Sequence, residues 1–336
     1  MADTGGILKV VVDNGYAQQK IAYYTQKDGA PSIVTMRLPS RAQIGVVSVS
    51  LEGDFLNSFE INDTLWSVGE NVPDPESIRG VKYAYSDLNT VLVNNSLICS
   101  GFSGADVHLG TSLPVSHYRL NSGKVNAELV EKVKGSLQAK CVHQGGQAAA
   151  SIKKHMVYQE SVAAAIDYLL SEKDGSPINQ IRRAIAIVDI GGNTTDISVM
   201  EDLKSIDHQR SGSEKIGVID VQNDLRNIMM DNFQLEKVQR YMLDDAIRTG
   251  TCEIFGEKVD LSVELAEAKK TTTQKIISRV EEKVGDASDL DKVIFVGGGA
   301  ALLKEVISTY RHGYVPEDPE FANARGMLKH LTFATG

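Results

Sequence analysis

One pattern occurs twice in this chain and constrains it more than any other feature. An apolar, β-branched run, Ile7-Leu8-Lys9-Val10-Val11-Val12, ends in Asp13-Asn14-Gly15, and a second run, Ile21-Ala22-Tyr23-Tyr24, follows. In the middle of the chain Ala184-Ile185-Ala186-Ile187-Val188 ends in Asp189-Ile190-Gly191-Gly192-Asn193, and Thr195-Asp196-Ile197-Ser198-Val199 returns. Continuous apolar runs of this length read as strands buried on both faces. Asp and Gly between two such runs read as a hairpin turn. A duplicated unit opening each half of the chain predicts two α/β domains with similar cores.

The remaining segments are read from their spacing. From Ser86 to Ile98 the pattern is helical, with Ser86 as N-cap, Leu88, Val91, Leu92 and Leu97 as the apolar face and Gly101 as the stop. Val107–Thr111 reads as a short strand, and Val125–Leu137 and Ser161–Leu170 as helices, the second small-faced through Ala163, Ala164 and Ala165. The polar stretch Glu172–Pro177 reads as a linker. Helices are expected from near Val218, Leu235 and Leu261. A strand over Val293–Val296 then runs into Gly297-Gly298-Gly299, a helix from Ala300 to Tyr310 and a last helix from Phe321 to Leu331. Gln26–Pro75 receives no assignment, although Phe59 and Trp66 read as core anchors. The expected domains are 1–178, completed by 321–336, and 179–320.

Composition narrows the class. With 336 residues and 42% hydrophobic content the chain can bury two cores. A net charge of -9 argues against a broad phosphate-gripping surface, so direct DNA binding is not expected. Cys99, Cys141 and Cys252 are far apart and form no Cys-x-x-Cys pair, which excludes a disulfide framework or zinc knuckle and suits a reducing interior. No apolar run approaches the roughly 18 residues of a membrane helix, and the N-terminus lacks a basic n-region. A soluble, cytoplasmic protein with no membrane partner is the expectation.

Each hairpin has a chemical logic. A carboxylate at the end of a buried strand is held on a rigid element, and glycines without Cβ let backbone N–H groups approach a phosphate. A lone Asp-x-Gly is more often an ordinary turn; the second copy at an equivalent place is what argues for function. Two such hairpins facing each other would clasp one polyphosphate. Asp13 and Asp189 would then hold Mg²⁺ through its waters, and Lys20 would reach the phosphate oxygens. Gly297-Gly298-Gly299 would let a nucleotide lie on backbone at a helix N-terminus. No Gly-x-Gly-x-x-Gly opens a βαβ unit, and no Gly-x-x-x-x-Gly-Lys-Ser/Thr occurs.

Together these motifs carry a resemblance. Asp13-Asn14-Gly15 with Lys20, then Asp189-Ile190-Gly191-Gly192-Asn193-Thr194-Thr195-Asp196, then Val296-Gly297-Gly298-Gly299-Ala300 resemble the phosphate-1, phosphate-2 and adenosine motifs of the actin-like ATPase superfamily. That superfamily includes actin, seventy-kilodalton heat-shock chaperones and sugar kinases. Tyr83-Ala84-Tyr85-Ser86-Asp87-Leu88-Asn89, Leu97-Ile98-Cys99-Ser100-Gly101-Phe102 and Thr111-Ser112-Leu113-Pro114-Val115-Ser116-His117-Tyr118 are similar to the plasmid-segregation actins of the ParM/StbA family.

The resemblance implies an α/β, actin-like (ribonuclease H-like) fold of two duplicated domains around a nucleotide cleft. It implies a filament-forming ATPase that segregates plasmid DNA, with ATP or GTP and Mg²⁺ as cofactors. Further copies of itself, joined head to tail, and a DNA-binding adaptor at a plasmid centromere-like site would be its partners. At matching positions it implies Asp13 and Asp189 as Mg²⁺ ligands. Asn14, Gly15, Gln18, Lys20, Gly191, Gly192, Asn193 and Thr194 would lie around the phosphates, and Gly297, Gly298 and Gly299 beside the nucleoside. Glu160, in Val157-Tyr158-Gln159-Glu160-Ser161, would orient the attacking water, with Asp189 as its catalytic companion. Where the family often carries Ser or Thr after the turn glycine, this chain has Tyr16 and Ala17, leaving backbone N–H groups and Gln18 for the phosphate. Gly326, in Ala322-Asn323-Ala324-Arg325-Gly326-Met327, is implied to let the last helix cross the Ala163–Ala165 helix closely and form a hinge. Three alternatives stand beside this reading: a small-molecule kinase using Asp196 as base, a chaperone-type ATPase, and a nucleotide-binding scaffold with little turnover.

Overall fold

The first strand is buried because its two faces are covered by different helices. β1 (Leu8–Asn14) is followed by β2 (Gln18–Lys27), β3 (Ala30–Pro39), β4 (Ala42–Ile44), β5 (Ser58–Ile61) and β6 (Thr64–Val68). Then come α1 (Asp87–Cys99), β7 (Asp106–Leu113), α2 (Val115–Tyr118), α3 (Ala127–Ser136), β8 (Cys141–His143), β9 (Ser151–Gln159) and α4 (Val162–Leu169). The second half holds β10 (Ile185–Ile190), β11 (Thr195–Met200), β12 (Ile206–Glu214), α5 (Val218–Phe233), α6 (Arg240–Thr249), β13 (Thr251–Ile254) and β14 (Glu257–Asp260). It continues through α7 (Ser262–Val284), β15 (Lys292–Val296), α8 (Gly297–Ile307) and β16 (Gly313–Tyr314) to α9 (Ala322–Phe333). This computed structural model describes residues 6–46, 57–70, 72–76, 78, 80–120, 122–201, 205–307 and 310–334. The chain divides into two compact units, residues 1–180 with 321–336, and residues 181–320.

The repeat seen in the sequence is a repeat of topology. The main sheet of the first unit runs β3-β2-β1-β7-β9, and that of the second runs β12-β11-β10-β15-β16. In each, the strand carrying the aspartate pairs antiparallel with the next strand, β1 with β2 and β10 with β11. On its other side it pairs parallel with a strand from much later in the unit, β7 or β15.

Strand periodicity sends Val10 and Val12 to one face, against Val93 and Leu97 of α1, and Val11 to the other, against Ala324, Met327 and Leu328 of α9. Fully burying each such side chain contributes about 1.5–3 kcal/mol. In the second unit Ala186, Val188 and Ile190 share a cluster with Val221 and Leu225 of α5 and Ala268 and Ile276 of α7.

Helix α1 begins as expected, with the Ser86 hydroxyl accepting from the Asn89 N–H. The expected one-sided apolar face is corrected: every residue from Leu88 to Ile98 is buried. A small sheet, β4-β6-β5-β8, covers the side that the main sheet leaves open. Phe59, Ile61 and Trp66 of that sheet pack on Leu88, Val91 and Leu92. Asn94 and Ser96 are tolerated there because they bond back to the Thr90 and Leu92 carbonyls, each at 2.9 Å. Three strands of the small sheet, β4, β5 and β6, and β3 come from the stretch that the sequence left unassigned, and β8 completes the sheet from farther along the chain.

Helices α4 and α9 cross at Gly326, where a Cβ would overlap the Ala163 carbonyl oxygen. Beside the crossing, buried Asp167 accepts from Arg325 Nε and Nη2 at 2.9 and 2.7 Å and lies 2.7 Å from Lys329 Nζ.

Two further expectations are corrected. Glu172–Pro177 is no linker. Asp174 Oδ1 accepts from the Ser176 N–H and hydroxyl at 3.0 and 2.7 Å. A bridge between Leu170 and Pro177 closes the turn within the first unit. The helix expected near Leu235 begins at Arg240, after which β13 and β14 form an unforeseen hairpin.

Candidate functional site

Asp13 lies buried at the end of β1, and its cross-strand partner in β2 is Lys20. The Lys20 ammonium stands 3.4 Å from Asp13 Oδ2, and the Ser112 hydroxyl, at the end of β7, donates to Oδ1 at 2.6 Å. Asn14 is buried too. Its Oδ1 accepts from the Ser112 N–H at 3.2 Å, and its Nδ2 donates to Asn89 of α1 at 3.1 Å. Side chains also hold the turn that follows. The Gly15 carbonyl accepts from the Ser40 hydroxyl at 2.7 Å, and Gln19 donates to Ser40 Oγ at 2.8 Å and to the Tyr83 hydroxyl at 3.0 Å. At Gly15 a Cβ would stand 3.0 Å from the Gln18 carbonyl oxygen, a tight contact that glycine avoids. Gln18 itself is half-buried at the first position of β2. The glutamine that organises the turn is its fully buried neighbour Gln19. Tyr16 is accommodated against the Tyr83 ring, with centroids 5.7 Å apart.

Glu160 follows β9, and its N–H donates to the Leu113 carbonyl at 3.0 Å. That contact sets it beside the end of β7, next to Ser112. Ser161 is fully buried at φ 55°, a left-handed conformation that costs of order 1–3 kcal/mol outside glycine. Its N–H donates to Asn323 Oδ1 of α9 at 3.2 Å. Asn323 thus helps hold the turn on which Glu160 sits.

In the second unit Asp189 lies buried at the end of β10, and its cross-strand partner in β11 is Asp196. Burial, and next in effect after hydrogen bonding from Ser213 the charge of Asp189, act on the Asp196 carboxyl; the net result is a pKa pushed up to about 7. Asp196 Oδ1 is buried with no hydrogen-bond partner among the described residues.

The loop between these strands is held by backbone. The Gly191 N–H donates to the Thr194 carbonyl at 2.8 Å. The Gly191 and Gly192 carbonyls accept from the Val218 and Ile219 N–H groups at the start of α5, at 3.1 and 2.9 Å. Among the described residues no acceptor takes the N–H of Gly192, Asn193 or Thr194. Consecutive N–H groups left open in a turn form an anion-binding concavity.

The glycine triple differs from its expected form. Helix α8 begins at Gly297, so the three glycines are its first turn rather than a loop ahead of it. Gly297 is buried at φ 86°, and a Cβ there would overlap Asp189 Oδ1 and stand 2.5 Å from the Ile190 carbonyl oxygen. A Cβ at Gly299 would overlap the Ile190 side chain. These two glycines bring the N-terminus of α8 against the end of β10. Gly298 alone of the three is exposed, with nothing within 4 Å of a Cβ.

The residues fit a hydrated Mg²⁺. No group of three or more His, Cys, Asp or Glu that would cage a metal occurs among the described residues. Mg²⁺ needs no such cage, because it keeps several waters and takes one or two carboxylates. Beside Asp189 the unpartnered Asp196 Oδ1 is an oxygen able to accept from a metal-bound water. A cavity of about 350 Å³ lined by Tyr23, Tyr24, Phe102 and Phe333 lies at the opposite end of β1 and β2 and contains none of these residues.

Four residues that serve the two hairpins went unassigned in the sequence: Gln19, Ser40, Asn89 and Gly217. A Cβ at Gly217 would stand 2.6 Å from the Gly192 carbonyl oxygen, so α5 can reach the loop only through a glycine. Ser112 stood in a similar segment without a role. A polar residue in a short apolar strand was the available signal for it.

Residues 8–171 match the family model for the N-terminal part of plasmid segregation protein ParM, and residues 187–309 match that for the C-terminal part of archaeal MreB-like actin homologues. The chain has an actin-like fold and is similar to ParM over its first half and to archaeal MreB-like actin homologues over its second. Solved structures agree on the fold. An archaeal actin homologue aligns at TM-score 0.75 and 18% identity, covering 98% of this chain and 100% of its own. The same homologue in complex with ADP aligns at 0.71 and 20%, covering 96% and 98%. A 15-stranded ParM filament from Clostridium botulinum aligns at 0.72 and 19%, covering 96% and 98%. No curated protein sequence matches the actin-like chain.

Proposed function

We propose that this actin-like protein is a filament-forming nucleotide hydrolase that uses ATP, or GTP, to move plasmid copies apart. The observation that carries the reading is the run of three open N–H groups, Gly192 to Thr194, beside the buried carboxylate of Asp189. The ADP complex of the archaeal homologue and the polymer formed by the Clostridium botulinum ParM support nucleotide use and self-assembly.

In this reading the domains are 1–178 with 321–336, and 179–320. Asp13 and Asp189 hold Mg²⁺ largely through its waters. Bound Mg²⁺ would neutralise charge developing on the phosphate oxygens. Lys20, Asn14, Gly15, Gln18 and the Gly191–Thr194 loop bind phosphate, and the first turn of α8 lies by the nucleoside, with Gly298 the open position. Glu160 orients the attacking water more than it deprotonates it, since a carboxylate beside an anionic phosphate is a modest base. Nucleotide binding favours head-to-tail addition of further copies, a heterologous contact that propagates into an open filament. Hydrolysis loosens it.

With a net charge of -9 the chain leaves DNA to a basic adaptor at a centromere-like site. The cytoplasm is the proposed location, and no helix among the described residues is long and apolar enough to cross a membrane. One observation favours a second reading. The Asp196 carboxyl, with a pKa near 7, is suited to general-base work in a small-molecule kinase.

Light scattering beside phosphate release separates the readings. Scattering should rise on adding nucleotide with Mg²⁺ and decay as phosphate appears. Flat scattering with both ATP and GTP sinks the filament. Phosphate transfer that requires an added sugar favours the kinase.

A further inference from the structure

Gly217 is buried immediately before α5. Its φ of -162° is extended backbone that any residue adopts, so conformation does not demand glycine there. Space does. A Cβ would stand 2.6 Å from the Gly192 oxygen and 2.7 Å from the Gly191 oxygen. Without it, the first turn of α5 comes down onto the loop, and Val218 and Ile219 donate to those same two oxygens at 3.1 and 2.9 Å. The first N–H groups of a helix have no partner within it, and here the loop supplies the acceptors.

The direction of these bonds has a consequence for the loop. A trans peptide is planar, with its C=O and N–H pointing opposite ways. The peptide joining Gly191 to Gly192 turns its oxygen to α5 and therefore turns the Gly192 N–H away from α5. The peptide joining Gly192 to Asn193 does the same for the Asn193 N–H. These are two of the three N–H groups that no acceptor takes among the described residues. The Gly217 N–H is itself occupied, donating to Asp220 Oδ2 at 2.8 Å.

We propose that Gly217 is a positioning residue of the phosphate loop: it seats α5 on the loop's carbonyls, so that the Gly192 and Asn193 amides face an incoming phosphate. This rests on the nucleotide reading above and deepens it. Helix α5 and the loop then form one mechanical unit, and a phosphate taken by the loop is felt in the first turn of α5.

The test uses the full chain, with ADP and adenosine as probes in calorimetry and an amide ¹⁵N spectrum of the wild type. Gly217→Ala should weaken ADP binding at least tenfold and leave adenosine binding unchanged, a split that a general loss of structure would not produce. Val218→Pro removes one donor at the first helical position, where proline's φ is at home and the extended Gly217 backbone accepts a following proline. It should weaken ADP several-fold. ADP should also shift the Gly192 and Asn193 amide resonances. Unchanged ADP affinity in both variants overturns the proposal and leaves the nucleotide reading standing, whereas a wild type that binds neither ADP nor GDP overturns both. Should Gly217→Ala not fold, Val218→Pro and the spectrum decide: Gly192 and Asn193 resonances that stay still overturn the role.

Discussion

The two hairpins are the same device with opposite charge at one position. In each, the residue directly across the ladder from the buried aspartate is a charged one: Lys20 faces Asp13, and Asp196 faces Asp189. The first carboxylate therefore has a cation 3.4 Å away and a serine hydroxyl at 2.6 Å. The second has another acid as neighbour, and that acid holds its proton up to about pH 7. The supports differ as well. Side chains of Gln19 and Ser40 brace the first turn, whereas backbone N–H groups of α5 brace the second. A duplicated fold preserves strand order and register while the chemistry at a register position is free to diverge. The first hairpin sets its carboxylate opposite a cation, and the second sets its carboxylate opposite another acid.

The largest effects should come from removing each aspartate in turn. Asp189→Ala should lower Mg²⁺-dependent turnover by about a hundredfold or more while leaving thermal stability at pH 8 unchanged or raised, because Asp196 loses a like-charged neighbour. Asp13→Ala should lower turnover too, but it removes the acceptor of the 2.6 Å Ser112 hydrogen bond and the carboxylate 3.4 Å from Lys20, and should cost stability of about 1–3 kcal/mol. Paired denaturation curves and phosphate-release assays check both. Equal stability losses in the two variants would erase the contrast. Next in size is Glu160→Ala. Nucleotide binding and assembly should persist while hydrolysis slows by about a hundredfold. Pelleting and phosphate release measure this, and wild-type turnover would remove Glu160 from the site.

A pH series sharpens the contrast further. Asp196 binds its proton more tightly folded, at about 7, than in its ordinary state at 3.8. The stability this contributes is fully present below about pH 4 and is lost as pH rises through about 7. In urea midpoints taken without Mg²⁺ from pH 5 to 8, Asp196→Asn should flatten that decline. A mutant with the wild-type slope would assign the titration elsewhere. The smallest expected signal is none at all. A gel shift of the chain alone on plasmid DNA at about 150 mM salt should show no band, and should show one when the adaptor is added. A sequence-specific shift by the chain alone would end that division of labour.

The sequence by itself determined the duplication, both hairpins with Asp13 and Asp189 at their strand ends, and the Ser86 cap of α1. Each is written in residues a few positions apart, because strand alternation, turn glycines and capping hydroxyls act locally. Tertiary structure alone decided which polar groups the carboxylates meet. Ser112 reaches Asp13 across 99 positions of sequence, and α5 meets the Gly191–Gly192 carbonyls only where Gly217 lets it. It also decided that Gln26–Pro75 supplies strands for a small sheet, since the apolar residues of those short strands find their burial against α1, far along the chain. It decided, too, that the glycine triple is a helix turn packed on Ile190. Local pattern specifies what an element is. The satisfaction of buried polar groups depends on which elements come together, and no short window of sequence records that.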